Sequence, residues 1–281
     1  DLQQAGLPVV TTIHHPISRD LNVALVGASG WRTRLLVRRW HSFLTMQARV
    51  AAQLNHIVTV SRASAADIAT DFGVLPSAIQ VIPNGVDTEL FRALPDVTRK
   101  PAQLIATASA DAPLKGLAVL LQAFKLLSAD RPALQLVLIA SPKPGGDTEA
   151  LISQLQLGDR IHFVGGASHA DIVRLYAEST VAVVPSIYEG FGLPAVEAMA
   201  SGIPLVSSDG GALAEVVGDG GLLVPAGDAK ALAEAVDVVL SEADVAAELI
   251  NRGQHRAHRT FSWSVCARLM VEQYQRCIDS C

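Results

Sequence analysis

Residues 185–200 read Pro-Ser-Ile-Tyr-Glu-Gly-Phe-Gly-Leu-Pro-Ala-Val-Glu-Ala-Met-Ala, directly after the apolar run Val181-Ala182-Val183-Val184. A short apolar run bounded by turn residues reads as a buried strand. Pro194 suits the first turn of a helix, where its missing N–H would have no partner anyway. The stretch is therefore a strand, a loop and a helix start. The first-turn N–H groups of such a helix lack intrahelical acceptors and stand at the positive end of the helix dipole, so they can receive phosphate oxygens. The carboxylates of Glu189 and Glu197, eight positions apart, repel phosphate but can accept hydrogen bonds from hydroxyl groups. A ligand with a diphosphate and polyhydroxyl rings, a nucleotide sugar, would satisfy every part.

Working outward, strands are expected at 104–107, 134–139, 161–164, 181–184, 204–207 and 222–224. Helices are expected between and after them at 117–128, 148–155, 170–178, 194–200, 212–217 and 229–240. This alternation predicts right-handed βαβ units and a parallel sheet covered by helices on both faces. On the amino-terminal side, 7–13 and 56–60 read as strands and 34–54 as one helix. A further helix, capped by Ser61, should end near Phe72 before Gly73. Residues 93–101 carry prolines and charges without periodicity and read as a linker. Apolar positions at 265, 269, 270, 274 and 278 give a last helical stripe.

The expected organisation is a partial first lobe over 1–94, a complete Rossmann-like lobe over 95–262 and a terminal helix over 263–281. Half of the 281 residues are apolar, 5% are aromatic and the formal charge is −5. That composition fits a soluble α/β protein and gives no basic field for nucleic acid. No apolar run approaches the ~18 residues that cross a bilayer. Cys266, Cys277 and Cys281 lack metal-ligand spacing, so reduced thiols are expected and no zinc or disulfide framework. A cytoplasmic home fits. The first residues show no initiator Met and no signal-peptide pattern, and the chain is expected to be an amino-terminally truncated piece.

Five stretches in this order, Val58-Thr-Val-Ser61, Val81-Ile-Pro-Asn-Gly-Val-Asp87, Leu114-Lys-Gly-Leu117, 185–200 and Gly210-Gly-Ala-Leu-Ala-Glu-Val-Val217, resemble the retaining glycosyltransferases of family 4. Glu189 through Glu197 match that family's Glu-x7-Glu motif. The resemblance implies a GT-B fold, with two Rossmann-like lobes built on parallel sheets, the amino-terminal lobe here incomplete. It implies transfer of a hexose from a nucleotide-diphosphate donor to an acceptor hydroxyl on a glycan, lipid or small molecule, with retained configuration and no essential metal or other cofactor.

The resemblance assigns residues as well. Lys115 would neutralise the leaving diphosphate, Glu189 would contact the transferred sugar and Glu197 the ribose hydroxyls. His14 would face the donor sugar. Ser109, Gly116, Gly165, Gly190, Phe191, Gly192 and Leu193 would complete the donor site, with backbone groups near Gly165, Gly166 and Ser168 reading the base. Where the family carries an arginine about five positions before its lysine, this chain has Ser109-Ala110-Asp111, and where the family pairs an acid with its histidine it has His15. Ser208 and Asp209 could cap the helix that follows Gly210-Gly211. The favoured account of retention in the family is front-face departure, in which the diphosphate oxygen helps deprotonate the acceptor, so no side-chain nucleophile is named.

Plainer explanations stand beside each of these. Lys115 could be a solvated lysine, the two glutamates ordinary helix-start acids, and His14 a strand-end residue. Segment 32–39, with four arginines among apolar residues, could lie against an anionic membrane or be the solvated face of a helix. Two other functions remain as alternatives: a nucleotide-sugar-binding fragment without turnover and, less favoured, a GT-B epimerase. A nicotinamide dehydrogenase is poorer still, since no Gly-x-Gly-x-x-Gly follows the first strand of the complete lobe.

Overall fold

The computed structural model describes residues 5–28, 30–107 and 112–280. Contacts divide the chain into two compact units, one of residues 1–84 with 264–281 and one of residues 85–263.

The second unit carries a six-stranded parallel sheet. Numbering elements from the chain start, its strands are β4 (Gln103–Thr107), β5 (Gln135–Ile139), β6 (Ile161–Phe163), β7 (Val181–Val184), β8 (Leu205–Ser208) and β9 (Leu222–Val224). They lie in the order β6-β5-β4-β7-β8-β9. This is the doubly wound order in which the chain grows outward from β4 in one direction and from β7 in the other. The carboxyl ends of those two neighbours form the crevice where α/β sheets receive ligands. Leu104, Ile105, Val181, Val183 and Val206 are fully buried because helices cover both faces. The longest run of core side chains comes from α5 (Leu117–Asp130), whose Leu120, Leu121, Ala123, Phe124 and Leu127 are buried. Burying each of the large ones contributes about 1.5–3 kcal/mol.

Helices begin where the sequence supplies caps. Ser168 and Asp171 form a capping box at the start of α7 (His169–Glu178), and Asp228 accepts from the N–H groups of Lys230 and Ala231 at the start of α10 (Ala229–Ser241). The strand and helix expectations for this unit hold to within two residues. They omitted α11 (Ala243–Phe261), the longest helix among the described residues. Its buried positions are Leu249, Gly253, Ala257 and Phe261, a four-residue repeat in which two members are too small to read as apolar.

The first unit has a three-stranded parallel sheet, β1 (Thr11–Thr12), β2 (Ile57–Thr59) and β3 (Ile79–Val81), in that order. Its core holds Ala51, Ile57, Ile68, Phe72 and Val74. Of the strand expected at 7–13, only 11–12 are strand, with the Ile13 N–H donating to the Val58 carbonyl at 2.9 Å. The sequence reading also missed α1 (Ser18–Gly27), and the helix expected at 34–54 is two, α2 (Trp31–Trp40) and α3 (Phe43–Ala51). The break lies at His41, whose ring nitrogen Nδ1 stands 2.8 Å from the Val37 carbonyl and whose own N–H turns back to Val37 and Arg39. As expected, Ser61 caps α4 (Arg62–Phe72), accepting from the Ser64 N–H at 2.9 Å.

The helix expected near the end is α12 (Trp263–Asp279), which carries the buried Cys266 and Cys277, neither of them in a disulfide. Its Arg276 donates to Gln80 and Ser280 lies 3.0 Å from His56, both in the first unit. Cys281 lies outside the described residues.

The boundary expected at 94 falls ten residues earlier. Val86 donates its N–H to the Phe261 carbonyl at 2.7 Å and pairs in parallel with Ser262. The supposed linker is held to the second unit as well, by Lys100 on Glu178 and by Arg99 on the carbonyls of Ser179 and Gly202. Composition registered the prolines and charges but not these long-range partners.

Candidate functional site

The loops after β4 and β7 meet at the carboxyl edge of the sheet, and Lys115, Gly116 and Glu189, all expected, come together there with the residues that open the next helix. Lys115 ends a single 3₁₀ turn after β4, and its Nζ lies 2.7 Å from Oε1 of Glu189 in the loop after β7. Ser186 donates to the same oxygen at 3.0 Å. The Lys115 side chain is 36% exposed and the Glu189 side chain 12%, so the pair opens to solvent on the lysine side. Sequence reasoning treated the two as separate contributors. Their mutual neutralisation, across 74 positions, was not legible.

Gly116 makes this approach possible. Its φ is +66°, and a Cβ built there would stand 1.9 Å from the Pro185 carbonyl oxygen. Any other residue would therefore have to push the two loops apart. The loops are also tied by backbone: the Leu114 carbonyl accepts from both Ile187 at 2.8 Å and Tyr188 at 3.3 Å.

Beyond Glu189 the chain passes Gly190 and Phe191 and enters α8 (Leu193–Ala200) at Gly192, whose φ of 96° turns the backbone into the helix. Pro194 occupies the first turn, as expected. The N–H groups of Phe191, Gly192 and Leu193 have no acceptor among the described residues. They are the free donors at the positive end of the α8 dipole that an anion can use. The glycine pair 210–211 lies directly beneath the loop, and the Ala212 N–H donates to the Glu189 carbonyl at 2.8 Å.

Glu197 sits one turn into α8 and is half-buried. No hydrogen bond or ion pair holds its carboxylate among the described residues. Burial accordingly raises its pKa above the ordinary glutamate value, a shift that the nearby charge of His169 partly offsets. Tyr176, almost wholly buried, stands below it. Its hydroxyl lies 3.3 Å from Thr107 at the end of β4 and 3.4 Å from the Pro194 carbonyl at the start of α8. Burial, with the Glu197 charge added, pushes the Tyr176 phenol far up, so it stays neutral and serves as a strut between β4 and α8. A buried tyrosine on an amphipathic helix was the available signal for it, and Ser186, adjacent to the motif, was likewise passed over.

Other expectations land elsewhere. Gly165 lies at the end of β6, two strands from β4, against the Ser141 side chain. Ser168 is committed to capping α7. Ser208 and Asp209 do not cap the helix that follows: the Ser208 hydroxyl donates to the Ser186 carbonyl, and Asp209 accepts from the Ala226 N–H. Both side chains are used to hold neighbouring loops. His14 belongs to the first unit, where it follows β1 and lines a largely apolar cavity of about 400 Å³ with His15, Met46 and Phe72. Ser109, Ala110 and Asp111 lie outside the described residues.

Comparison with known proteins agrees with this architecture. The profile of the family described as glycosyl transferases group 1 matches residues 95–256, and that of glycosyltransferase family 4 matches residues 2–90. The chain is 44% identical over 281 residues to an MMP alpha-(1->4)-mannosyltransferase of Mycolicibacterium hassiacum, covering 99% of this chain and 67% of that protein. It is 30% identical over 283 residues to a phosphatidyl-myo-inositol mannosyltransferase of Mycobacterium leprae, covering 98% and 68%. The chain thus spans about two thirds of the length of these relatives. The solved sucrose-phosphate synthase of Thermosynechococcus elongatus superposes with a TM-score of 0.79 at 27% identity, over 99% of this chain and 70% of that one. These relatives are transferases, which sets aside the reading of a binding module without turnover. The chain belongs to the group 1, family 4 glycosyltransferases and is a hexosyltransferase of the GT-B fold.

Proposed function

We propose that this chain moves a mannosyl-type hexose from a nucleotide-diphosphate sugar to an acceptor hydroxyl with retention of configuration and without a resident metal. One observation carries the reading: the Lys115–Glu189 pair stands at the crevice of the sheet beside the unsatisfied N–H groups that open α8. The donor's diphosphate takes Lys115 from Glu189 and receives the N–H groups of Phe191, Gly192 and Leu193. Glu189, released, accepts hydroxyls of the sugar, and Glu197 accepts the two ribose hydroxyls. The lysine and the helix dipole then stabilise charge on the diphosphate as the glycosidic bond breaks. The departing diphosphate oxygen takes the acceptor proton on the same face, so no protein nucleophile is needed. The mannosyl assignment follows the two mannosyltransferase relatives.

The test is a panel of GDP- and UDP-hexoses with mannose oligosaccharides as acceptors, followed by NMR of the product's anomeric proton. An α-linked product from an α-configured donor is expected. A β-linked product, or no donor consumed, would overturn the reading.

A lipid-borne acceptor is the second reading, and a specific surface favours it. Helix α2 buries none of its residues. Trp31, Leu35, Leu36 and Trp40 are each at least 60% exposed, and Arg32, Arg34, Arg38 and Arg39 share the helix. Basic and aromatic side chains together suit the interface of an anionic bilayer. The contact proposed is a peripheral one at the cytoplasmic face of a membrane; no helix among the described residues is long and apolar enough to cross one. Sedimentation with vesicles containing about 30% phosphatidylglycerol should carry the wild type down. It should leave an Arg34→Glu/Arg38→Glu variant in solution. Equal sedimentation of both would remove this surface from the account.

A further inference from the structure

The donor loop is braced by a residue that no part of the site touches directly. Arg256, on α11, directs its guanidinium at α9 (Leu213–Val217): Nε donates to the Val216 carbonyl at 2.8 Å and Nη2 to the Glu215 carbonyl at 2.6 Å. These are last-turn carbonyls at the negative end of the α9 dipole, so a cation there both caps and neutralises. The other end of α9 is fixed to the donor loop by the Ala212 N–H on the Glu189 carbonyl.

A second route runs through aromatic rings. The Arg256 guanidinium lies 5.8 Å from the centroid of the Phe261 ring. Phe261 meets Phe191 edge to face, with centroids 5.6 Å apart. Both rings are buried, and Phe191 stands between Gly190 and Gly192, the residues that open α8. Asp219, 3.8 Å from the guanidinium, is mostly exposed, so it does not draw the arginine from these tasks.

We propose that Arg256 is a positioning residue of the transfer reaction. It sets the backbone of 189–192 through α9 on one side and through Phe261 on the other, and so sets how well the loop receives the donor. The proposal rests on the donor-site reading above. Lysine cannot replace the arginine, because only a planar fork reaches two carbonyls while stacking on a ring.

Kinetics of Arg256→Ala, Arg256→Lys and Phe261→Leu test it. Donor KM should rise about 2- to 30-fold, the range of coupling through contacts outside a site, while acceptor KM stays put. Lysine should not restore it. A cavity of about 660 Å³, lined in part by Asp219, Arg252 and Thr260, lies against Arg256, so free guanidinium can reach the hole left by alanine. At about 20–50 mM, far below the molar range that unfolds domains, it should return the donor KM of Arg256→Ala toward wild type. It should leave that of Phe261→Leu unchanged. An unchanged donor KM in the arginine variants, or a loss confined to the amount of folded protein with no recovery by guanidinium, overturns the proposal. If Arg256→Ala does not fold, Arg256→Lys and Phe261→Leu decide by the same donor KM. Should Lys115→Ala retain full activity in the same assay, the donor-site reading itself would have failed, which is a separate outcome.

Discussion

Replacing Lys115 with alanine is expected to lower turnover by about 10²–10³ at saturating donor, the usual cost of losing one group that stabilises developing charge. Donor affinity should fall less. Lys115 is engaged with Glu189 at 2.7 Å. Part of its attraction for the diphosphate is therefore spent in leaving that partner, and its full charge is available only as the leaving group forms. Substitution also strands Glu189, whose side chain is 12% exposed and would keep only Ser186 as donor among the described residues. A Lys115→Ala/Glu189→Gln double variant separates the two effects: it should be as inactive as the single lysine variant but closer to wild type in melting temperature. The measurement is nucleoside diphosphate release under single-turnover conditions. A lysine variant within about threefold of wild type, too small a change for a lost charge of this kind, would remove the phosphate role.

The second large effect is expected at Glu197. Two hydroxyls bound to one carboxylate are charge-assisted hydrogen bonds, and Glu197→Ala should raise donor KM about 10- to 100-fold with a smaller change in kcat. Glu197→Gln should separate function from stability. The folded-state pKa of Glu197 is raised by burial, so folding favours its protonated form more than the unfolded chain does. The sign follows from linkage: this contribution to stability is fully present below the unfolded glutamate pKa and is lost as pH rises through the higher folded value. The glutamine variant, always neutral, should therefore melt higher than wild type at pH 8 and match it at acid pH. Donor affinity of the wild type should run the other way, weakening as pH falls through the raised pKa because only the ionised form accepts both hydroxyls. Equal donor KM in wild type and Glu197→Ala would take the ribose from this residue.

Much of the second unit could be read from the chain because its signals are local. Strands such as Val181–Val184 are short continuous apolar runs, as strands covered on both faces must be. The glycine–proline turn into α8 is written in consecutive residues. The first unit was harder. Its strands are two or three residues long, and the periodicity over 34–54 continues through the His41 break because the apolar spacing on either side happens to agree. Within the site, residue types were legible and partnerships were not. Lys115 and Glu189 each stood out by motif, whereas their ion pair, the Ser186 contact and the Tyr176 strut depend on which loops the sheet order makes neighbours. Arg256 gave no signal at all, one of several arginines on a strongly charged helix.

The Leu114 carbonyl that accepts both the Ile187 and Tyr188 N–H groups has a practical side. One carbonyl holds two adjacent N–H groups of a segment more than seventy positions away, so neither segment can be grafted from a relative on its own without leaving the other misaligned. Chimeras built to alter sugar preference should transplant 112–117 and 185–192 as a matched set.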